Sequence, residues 1–422
     1  MIRFDELAAR YGTPLYVYDV DEITEARSAL FASLPAGAEL FYALKANPHP
    51  ELVRALGSSV DGGPACRAEI SSTGELVAAL TAGLNAAECL YTGPGKTPTE
   101  LRTAVKLGVR MFSTDSVTDV QHVGAAAREH GVVADVLLRV NSLTASASTS
   151  IRMTGTPSQF GFDSETLPEL LPQLRRTPGV RLCGMHFFPL SNARDEASLT
   201  GEFEHTLATA AELQRQLGLP LRLLDIGGGF SVPYGVPGAR AGYPKLRDAL
   251  TTALDVHFPN RVADGMTIAF ESGRYLVGAA GTMVTRVTNV KSSRGKKFVI
   301  LDAGINTLGG MSGLGRLLPA SVVPEPAPES LAAAGEAEVD VANLVGPLCT
   351  PGDILGREVK VPRLNPGDLV TIPNVGAYGP TASLLMFLGR EAPVEVIVRG
   401  DLVLSASRVM HRRSYEIEDL SS

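Results

Sequence analysis

The strongest constraint on the fold is a repeated alternation of short apolar runs with longer helix-patterned stretches. Apolar runs that read as strands fall near residues 40–44, 64–70, 88–91, 110–113, 134–140, 180–187, 221–226 and 266–271. Helical patterning fills most of the gaps, as in 21–33, 73–82, 97–107, 117–130, 195–217 and 244–257. Runs without polar alternation fit strands covered on both faces, as in a parallel sheet. Eight such strands over some 250 residues point to an α/β chain closing into a (β/α)8 barrel. A doubly wound open sheet is the rival. The barrel is preferred because the chemically suggestive residues sit at C-terminal strand ends spread over the whole array, where a barrel builds its site.

The pattern changes near residue 275. Segments 277–290, 297–302, 369–372, 394–398 and 402–405 read as strands with no regular helices between them. The expected organisation is a barrel over 25–275 and an all-β domain over 276–422, joined by the N-terminal segment 1–24, whose Pro14–Asp19 stretch reads as a strand. Residues 323–337, rich in Pro, Ala and Glu, read as a mobile loop.

Composition narrows the function. The 422 residues carry a net charge of -7 with a pI near 5.6, which argues against a nucleic-acid surface. Cys66, Cys89, Cys183 and Cys349 are too scattered for a metal pattern or a disulfide framework. The start lacks a signal-peptide core and no apolar run is long enough to span a bilayer. A reducing cytoplasm is the expected setting, with neither membrane nor nucleic-acid partners.

Leu40-Phe41-Tyr42-Ala43-Leu44 runs directly into Lys45. A lysine at the mouth of a buried strand either snorkels to solvent or does chemistry. A partly desolvated ammonium becomes a usable amine and forms Schiff bases with aldehydes. Leu223-Leu224-Asp225-Ile226 leads into Gly227, Gly228 and Gly229, a turn whose backbone N–H groups could approach a phosphate or could simply reverse the chain. Ile268-Ala269-Phe270 leads into Glu271, with Arg274 three residues on. Such a carboxylate could salt-bridge a helix or hold a pyridine nitrogen protonated, and an arginine fork grips phosphate or carboxylate.

Six motifs in order resemble one family: Tyr42-Ala43-Leu44-Lys45-Ala46-Asn47, Gly93-Pro94-Gly95-Lys96, the Gly227–Phe230 turn, Glu271-Ser272-Gly273-Arg274, Cys349 with Asp353, and Gly376-Ala377-Tyr378-Gly379. They resemble the pyridoxal-phosphate decarboxylases of the alanine-racemase-like fold, which include diaminopimelate and ornithine decarboxylases. That resemblance implies pyridoxal 5'-phosphate as cofactor, Lys45 as the Schiff-base lysine and Glu271 as partner of the ring nitrogen. It places Ser191, Gly227, Gly228, Gly229, Arg274 and Tyr378 around the phosphate. It also implies a homodimer with shared active sites, in which Cys349 returns a proton to the α-carbon and Asp353 lies at the substrate.

The chain departs from the family in three places. Phe188 stands where the family stacks a histidine on the ring, with His186 two residues earlier as a substrate-side helper or a structural histidine. Thr350 follows Cys349 where diaminopimelate decarboxylases carry a glutamate. Residues 304–311 lack their Arg-Pro-x-x-Tyr element. Each unmade polar contact removes on the order of 1–3 kcal/mol of discrimination. The Gly346–Pro351 and Met153–Gly161 stretches resemble instead the branch acting on carrier-protein-bound or citryl-linked amino acids in natural-product and siderophore pathways. The expected substrate is an acylated or tethered amino acid, with an acyl carrier protein as partner. Arg408, Arg412 and Arg413 are candidates for a basic docking rim. Diaminopimelate, ornithine and citryl-amino-acid decarboxylation are the alternatives. Amino-acid racemisation is another, and a non-catalytic regulator is set aside by the intact Lys45, Glu271, Arg274 and Cys349.

Overall fold

The computed structural model describes residues 3–59, 62–142, 157–309, 321–327 and 339–413. The chain divides into two compact units, Val20–Pro233 with Gly238–Ala280, and Met1–Asp19 with Tyr234–Pro237 and Gly281–Ser422. The first boundary falls at residue 20 and not 25, because helix follows the N-terminal strand without a linker. The last falls at 280 and not 275. Tyr234–Pro237 belongs with the second unit, a detour that composition does not reveal.

The chain opens with α1 (Phe4–Tyr11) and β1 (Leu15–Asp19), both of the second unit. The first unit then runs α2 (Val20–Ser33), β2 (Glu39–Ala43), α3 (Pro50–Gly57), β3 (Arg67–Ile70), α4 (Thr73–Thr81), β4 (Cys89–Tyr91), α5 (Pro98–Leu107), β5 (Met111–Thr114), α6 (Val117–Glu129) and β6 (Ala134–Asn141). It continues with β7 (Phe162–Asp163), α7 (Leu167–Arg175), β8 (Val180–Phe187), α8 (Glu196–Leu217), β9 (Leu223–Asp225), α9 (Leu246–His257), β10 (Thr267–Ser272) and α10 (Arg274–Val277).

Every pairing in this sheet is parallel. The order β5-β4-β3-β2-β10-β9-β8-β6 is closed by a β5–β6 pairing, and the short β7 adds to β6. That closure excludes the open sheet. Phe41, Leu90, Leu137, Cys183, Leu223 and Ala269 fill the barrel interior. Helix starts are encoded locally. Ser72, Thr97 and Ser116 each accept a backbone N–H of the first turn, and Thr97 with Glu100 forms a full capping box behind Pro98. Each cap lies within a few residues of a strand end, so the chain turns immediately at the barrel mouth.

The second unit adds β11 (Gly281–Ser293), β12 (Lys296–Leu301), β13 (Glu325–Pro326), β14 (Val339–Val345), β15 (Ile354–Pro362), β16 (Leu369–Ile372), β17 (Val394–Arg399) and β18 (Leu402–Arg408). Its sheet order is β15-β14-β12-β11-β1-β17-β18, with β16 on β11 and β13 on β16. Leu7 and Ala8 of α1 pack with Leu15, Val17, Val284, Val396 and Val398 in its core. The strand expected from residue 277 begins at Gly281, after the α10 turn. Part of the expected 323–337 loop pairs as β13, and its residues 328–337 lie outside the described residues, as do the Met153–Thr156 part of one family-like motif and residues 310–311 of the 304–311 stretch.

Candidate active site

All eight barrel strands deliver a polar side chain at their C-terminal ends. In chain order these are Lys45 just beyond β2, Glu69 on β3, Thr92 just beyond β4, Ser113 on β5, Arg139 on β6, His186 on β8, Asp225 on β9 and Glu271 on β10. Six of them, together with the Gly93–Lys96 loop, Phe160 and Phe188, line a cavity of about 430 Å³.

Lys45 sits on a single helical turn, Leu44–Ala46. The Tyr42 hydroxyl donates to the Asn47 carbonyl at 2.7 Å across that turn. The lysine side chain is 43% exposed, so its ammonium reaches toward solvent at the strand's mouth. Its Nζ donates to Glu69 Oε2 at 2.9 Å and stands 5.6 Å from the Phe188 ring centre. Glu69 is buried and also accepts from the Thr92 hydroxyl. Burial alone would push the Glu69 carboxyl up, but Lys45 and the Thr92 hydroxyl outweigh it and hold the group below its ordinary value.

A second charged set stands beside it. Buried Lys96 donates to Asp119 Oδ2 at 2.7 Å and lies 3.9 Å from Asp115 Oδ2. Asp115 accepts the Gly161 N–H at 2.8 Å and lies 3.8 Å from Arg139. Arg139 in turn covers the Phe160 ring, 4.6 Å from its centre, and lies 5.9 Å from that of Phe188. Cationic groups over ring faces fix both partners.

His186 and Glu271 form the floor, with Asp225 buried beside them. His186 Nδ1 is 2.7 Å from the Ser113 hydroxyl, and its Nε2 stands 3.3 Å from Glu271 Oε1. Burial, then the cations Arg139, Lys45 and Lys96, hold the imidazole well below its usual value, so it stays neutral. Burial pushes Glu271 well above the carboxylate range, with Glu69 and Asp225 adding to it. Burial likewise pushes Asp225 up to about 7.

The glycine turn joins this floor to the 188–193 segment. Gly227 donates to Asp225 Oδ1 at 2.9 Å, and its carbonyl accepts the Glu271 N–H at 2.9 Å. Gly227 and Gly229 have φ of +72° and +123°. A Cβ at Gly227, Gly228 or Gly229 would come inside 3.0 Å of Phe187 O, Glu271 O or Leu190 respectively. Only glycine fits such a turn. Ala193 donates to the Gly229 carbonyl at 2.8 Å, which brings the neighbouring Ser191 to the turn. Arg274 opens α10, two residues past the end of β10. Lys45, Phe188, His186, Glu271, Ser191, Gly227–Gly229 and Arg274 therefore all belong to the barrel's C-terminal end.

Cys349, Asp353 and Tyr378 lie in the second unit. Cys349 is exposed. Asp353 is buried and accepts the backbone N–H groups of Ile305 at 2.8 Å and Leu348 at 2.7 Å. Its carboxylate therefore organises its own turn. Tyr378 has φ of +53° and its carbonyl accepts from Tyr234.

Glu69, Thr92, Ser113, Arg139 and Asp225 were not singled out from sequence. The available signal was one polar residue interrupting an apolar strand near its C-terminal end, as in Ala68-Glu69-Ile70, Leu138-Arg139-Val140 and Leu224-Asp225-Ile226.

Residues 20–278 match the family model described as pyridoxal-dependent decarboxylase, pyridoxal binding domain. The chain is 32% identical over 402 residues to the L-glutamyl-(BtrI acyl-carrier protein) decarboxylase of Niallia circulans, covering 93% of this chain and 90% of that one. It is 27% identical to the 2-((L-alanin-3-ylcarbamoyl)methyl)-2-hydroxybutanedioate decarboxylase of Staphylococcus aureus, covering 90% and 92%. The crystal structure of Helicobacter pylori diaminopimelate decarboxylase with L-lysine superposes with a TM-score of 0.80 at 25% identity, covering 95% of each chain. With its closed parallel barrel, separate β unit and Lys45–Glu271 cavity, this chain belongs to the pyridoxal-phosphate-dependent amino-acid decarboxylases, which are carboxy-lyases.

Proposed function

We propose that this enzyme removes the α-carboxylate of an amino acid held by its distal end on an acyl carrier protein. The observation that carries the proposal is the 32% identity to a carrier-protein decarboxylase, joined to the loss of both charged readers of a free distal end. Thr350 follows Cys349, and the described residues 304–309 contain no charged side chain. A neutral thioester or amide arm suits such surroundings better than a charged terminus.

The residues present fit pyridoxal phosphate. Lys45 offers an amine to the cavity, Glu271 Oε1 is buried without a hydrogen bond among the described residues, and the glycine turn leaves no room for side chains. Lys45 would anchor the cofactor, Phe188 would cover its ring, and Glu271 would face its ring nitrogen. Ser191, Gly227–Gly229, Arg274 and Tyr378 would hold the phosphate. When bound, the cofactor supplies an electron sink for the pair released with carbon dioxide. Glu69 holds the Lys45 ammonium in place, and Cys349 is proposed as the proton donor to the α-carbon. We further propose a cytoplasmic homodimer, in which Cys349 serves the partner's site while Asp353, expected at the substrate, instead holds the turn that carries Cys349, and a role in natural-product biosynthesis. A second cavity of about 450 Å³, lined by Asn192, Ala193, Arg194 and Ser231 among others, has room for an extended arm.

The test is mass spectrometry for loss of carbon dioxide from one amino acid offered free and carrier-linked, beside free diaminopimelate and ornithine. Faster turnover of the carrier-linked form is expected. Faster turnover of free diaminopimelate would return the enzyme to the second reading, diaminopimelate decarboxylation.

A further inference from the structure

The floor of the cavity holds more polar atoms than one ring nitrogen can satisfy. His186 Nε2, Asp225 Oδ2 and Glu271 Oε1 are buried and make no hydrogen bond among the described residues, and each of the three side chains has a nitrogen or carboxylate oxygen within 4.8 Å of one on each of the others. Leaving such an atom unpaired costs about 1–3 kcal/mol. His186 and Glu271 line the cavity and Asp225 does not, so Asp225 needs a partner from within the protein.

Its position selects that partner. Asp225 ends β9, level with His186 on β8 and Ala269 on β10. One oxygen is committed to the Gly227 N–H, and the Gly227 carbonyl takes the Glu271 N–H. Only Oδ2 is left to face the cluster. Two carboxylates this close and this buried do not both ionise. With the Ser113 hydroxyl donating to Nδ1, the neutral imidazole points its Nε2–H at Glu271 Oε1, 3.3 Å away. That favours the ionised form on Glu271 over what burial alone would give and leaves the shared proton to Asp225.

We propose that Asp225 and Glu271 hold one proton between them, carried on Asp225 Oδ2 and donated to Glu271 Oε1, which makes Asp225 the positioning residue for the acid that faces the cofactor ring. Side-chain rotation closes the O–H···O⁻ contact, and no other bond changes. Glu271 is then free to accept from the ring while the pair carries a single negative charge. The groups facing the pair are His186, Glu69 on β3, Arg139 on β6 and Lys45 beyond β2, with Lys96 acting on His186. The like charge of Glu69 favours keeping the proton, and Arg139 and Lys45 oppose it.

The experiment is infrared difference spectroscopy on the cofactor-free protein, with aspartate carboxyls labelled by carbon-13. Wild type should show a protonated-carboxyl band at neutral pH that moves with the label and disappears in Asp225→Asn. In Glu271→Gln the midpoint of the labelled band should fall by about one pH unit or more, because the like charge is gone. In wild type the same band should survive reconstitution with pyridoxal phosphate. This second variant reads the pair even where Asp225→Asn does not fold. A band insensitive to aspartate label, or a midpoint unmoved in Glu271→Gln, overturns the shared proton. Loss of the band on reconstitution overturns the assignment of the proton to Asp225. None of these readouts depends on the substrate.

Discussion

Replacing Glu395 with glutamine removes a titrating group from the centre of the β unit. Glu395 lies on β17, is 4% exposed, and accepts the Tyr18 hydroxyl at 3.1 Å. Burial pushes its carboxyl from 4.5 up to about 7, the Tyr18 hydrogen bond offsetting only part of the effect. The folded value lies above the unfolded one, so the protonated acid is the form the fold prefers. Its contribution is fully present below the unfolded value. It is lost progressively as pH rises to about 7, and gone above that. A shift of this size corresponds to about 3 kcal/mol. Glutamine keeps the shape and accepts the same hydrogen bond but does not titrate. Unfolding in denaturant, followed by tyrosine circular dichroism from acid to mildly alkaline pH, gives the wild-type minus variant difference. The two proteins should be similar near pH 5, and the variant should be the more stable by about 3 kcal/mol above pH 7. Taking the difference cancels other raised acids such as Asp225 and Glu75. Parallel stability curves for the two proteins would refute the reasoning, since they would mean that Glu395 is already ionised in its buried site.

Lys45→Ala should abolish turnover and leave no cofactor attached after borohydride reduction, read by intact-protein mass. A retained adduct would place the anchor elsewhere. Gly228→Ala pushes a methyl into the Glu271 carbonyl. It should destabilise the barrel by about 1–3 kcal/mol and weaken cofactor retention, measured by denaturation and dialysis. An unchanged affinity would mean that the turn does not fix Glu271. Mixing inactive Lys45→Ala and Cys349→Ala chains should restore part of the activity through one intact composite site. Mixed dimers that stay dead would remove Cys349 from the partner's site.

The barrel was legible because its strands, buried on both faces, leave unbroken apolar runs, and its helices carry local start signals such as Thr97-Pro98 with Glu100. The strands β14 and β15 were not. In β14 Val339 and Val341 are exposed while Asp340 is half-buried, Arg357 and Glu358 put two exposed charges side by side in β15, and β14 follows a Pro- and Ala-rich stretch that masks its start. Lys45 and Glu271 stood out because each ends an uninterrupted apolar run. Glu69, Arg139 and Asp225 did not, since a charge inside such a run reads as an interruption until closure of the barrel brings the interruptions together. The partner of Lys45 was hidden for the same reason: Glu69 is 24 residues away in sequence.

β1 pairs in parallel with β17 and antiparallel with β11. Both partners follow the whole barrel in the chain. During synthesis Gly281 leaves the ribosome about 260 residues after Asp19, roughly 13 to 52 seconds later at about 5–20 residues per second. Val394 follows after about 375. Over that interval Leu15-Tyr16-Val17-Tyr18 has neither neighbour, and an apolar strand with two open edges is a template for pairing with other chains. Birth order therefore runs from the inside outward: the inserted barrel can close while the N-terminal strand waits. A nascent chain stopped between Ser272 and Gly281 carries a complete set of barrel strands and an unsatisfied strand at its beginning, the kind of intermediate that holding chaperones capture.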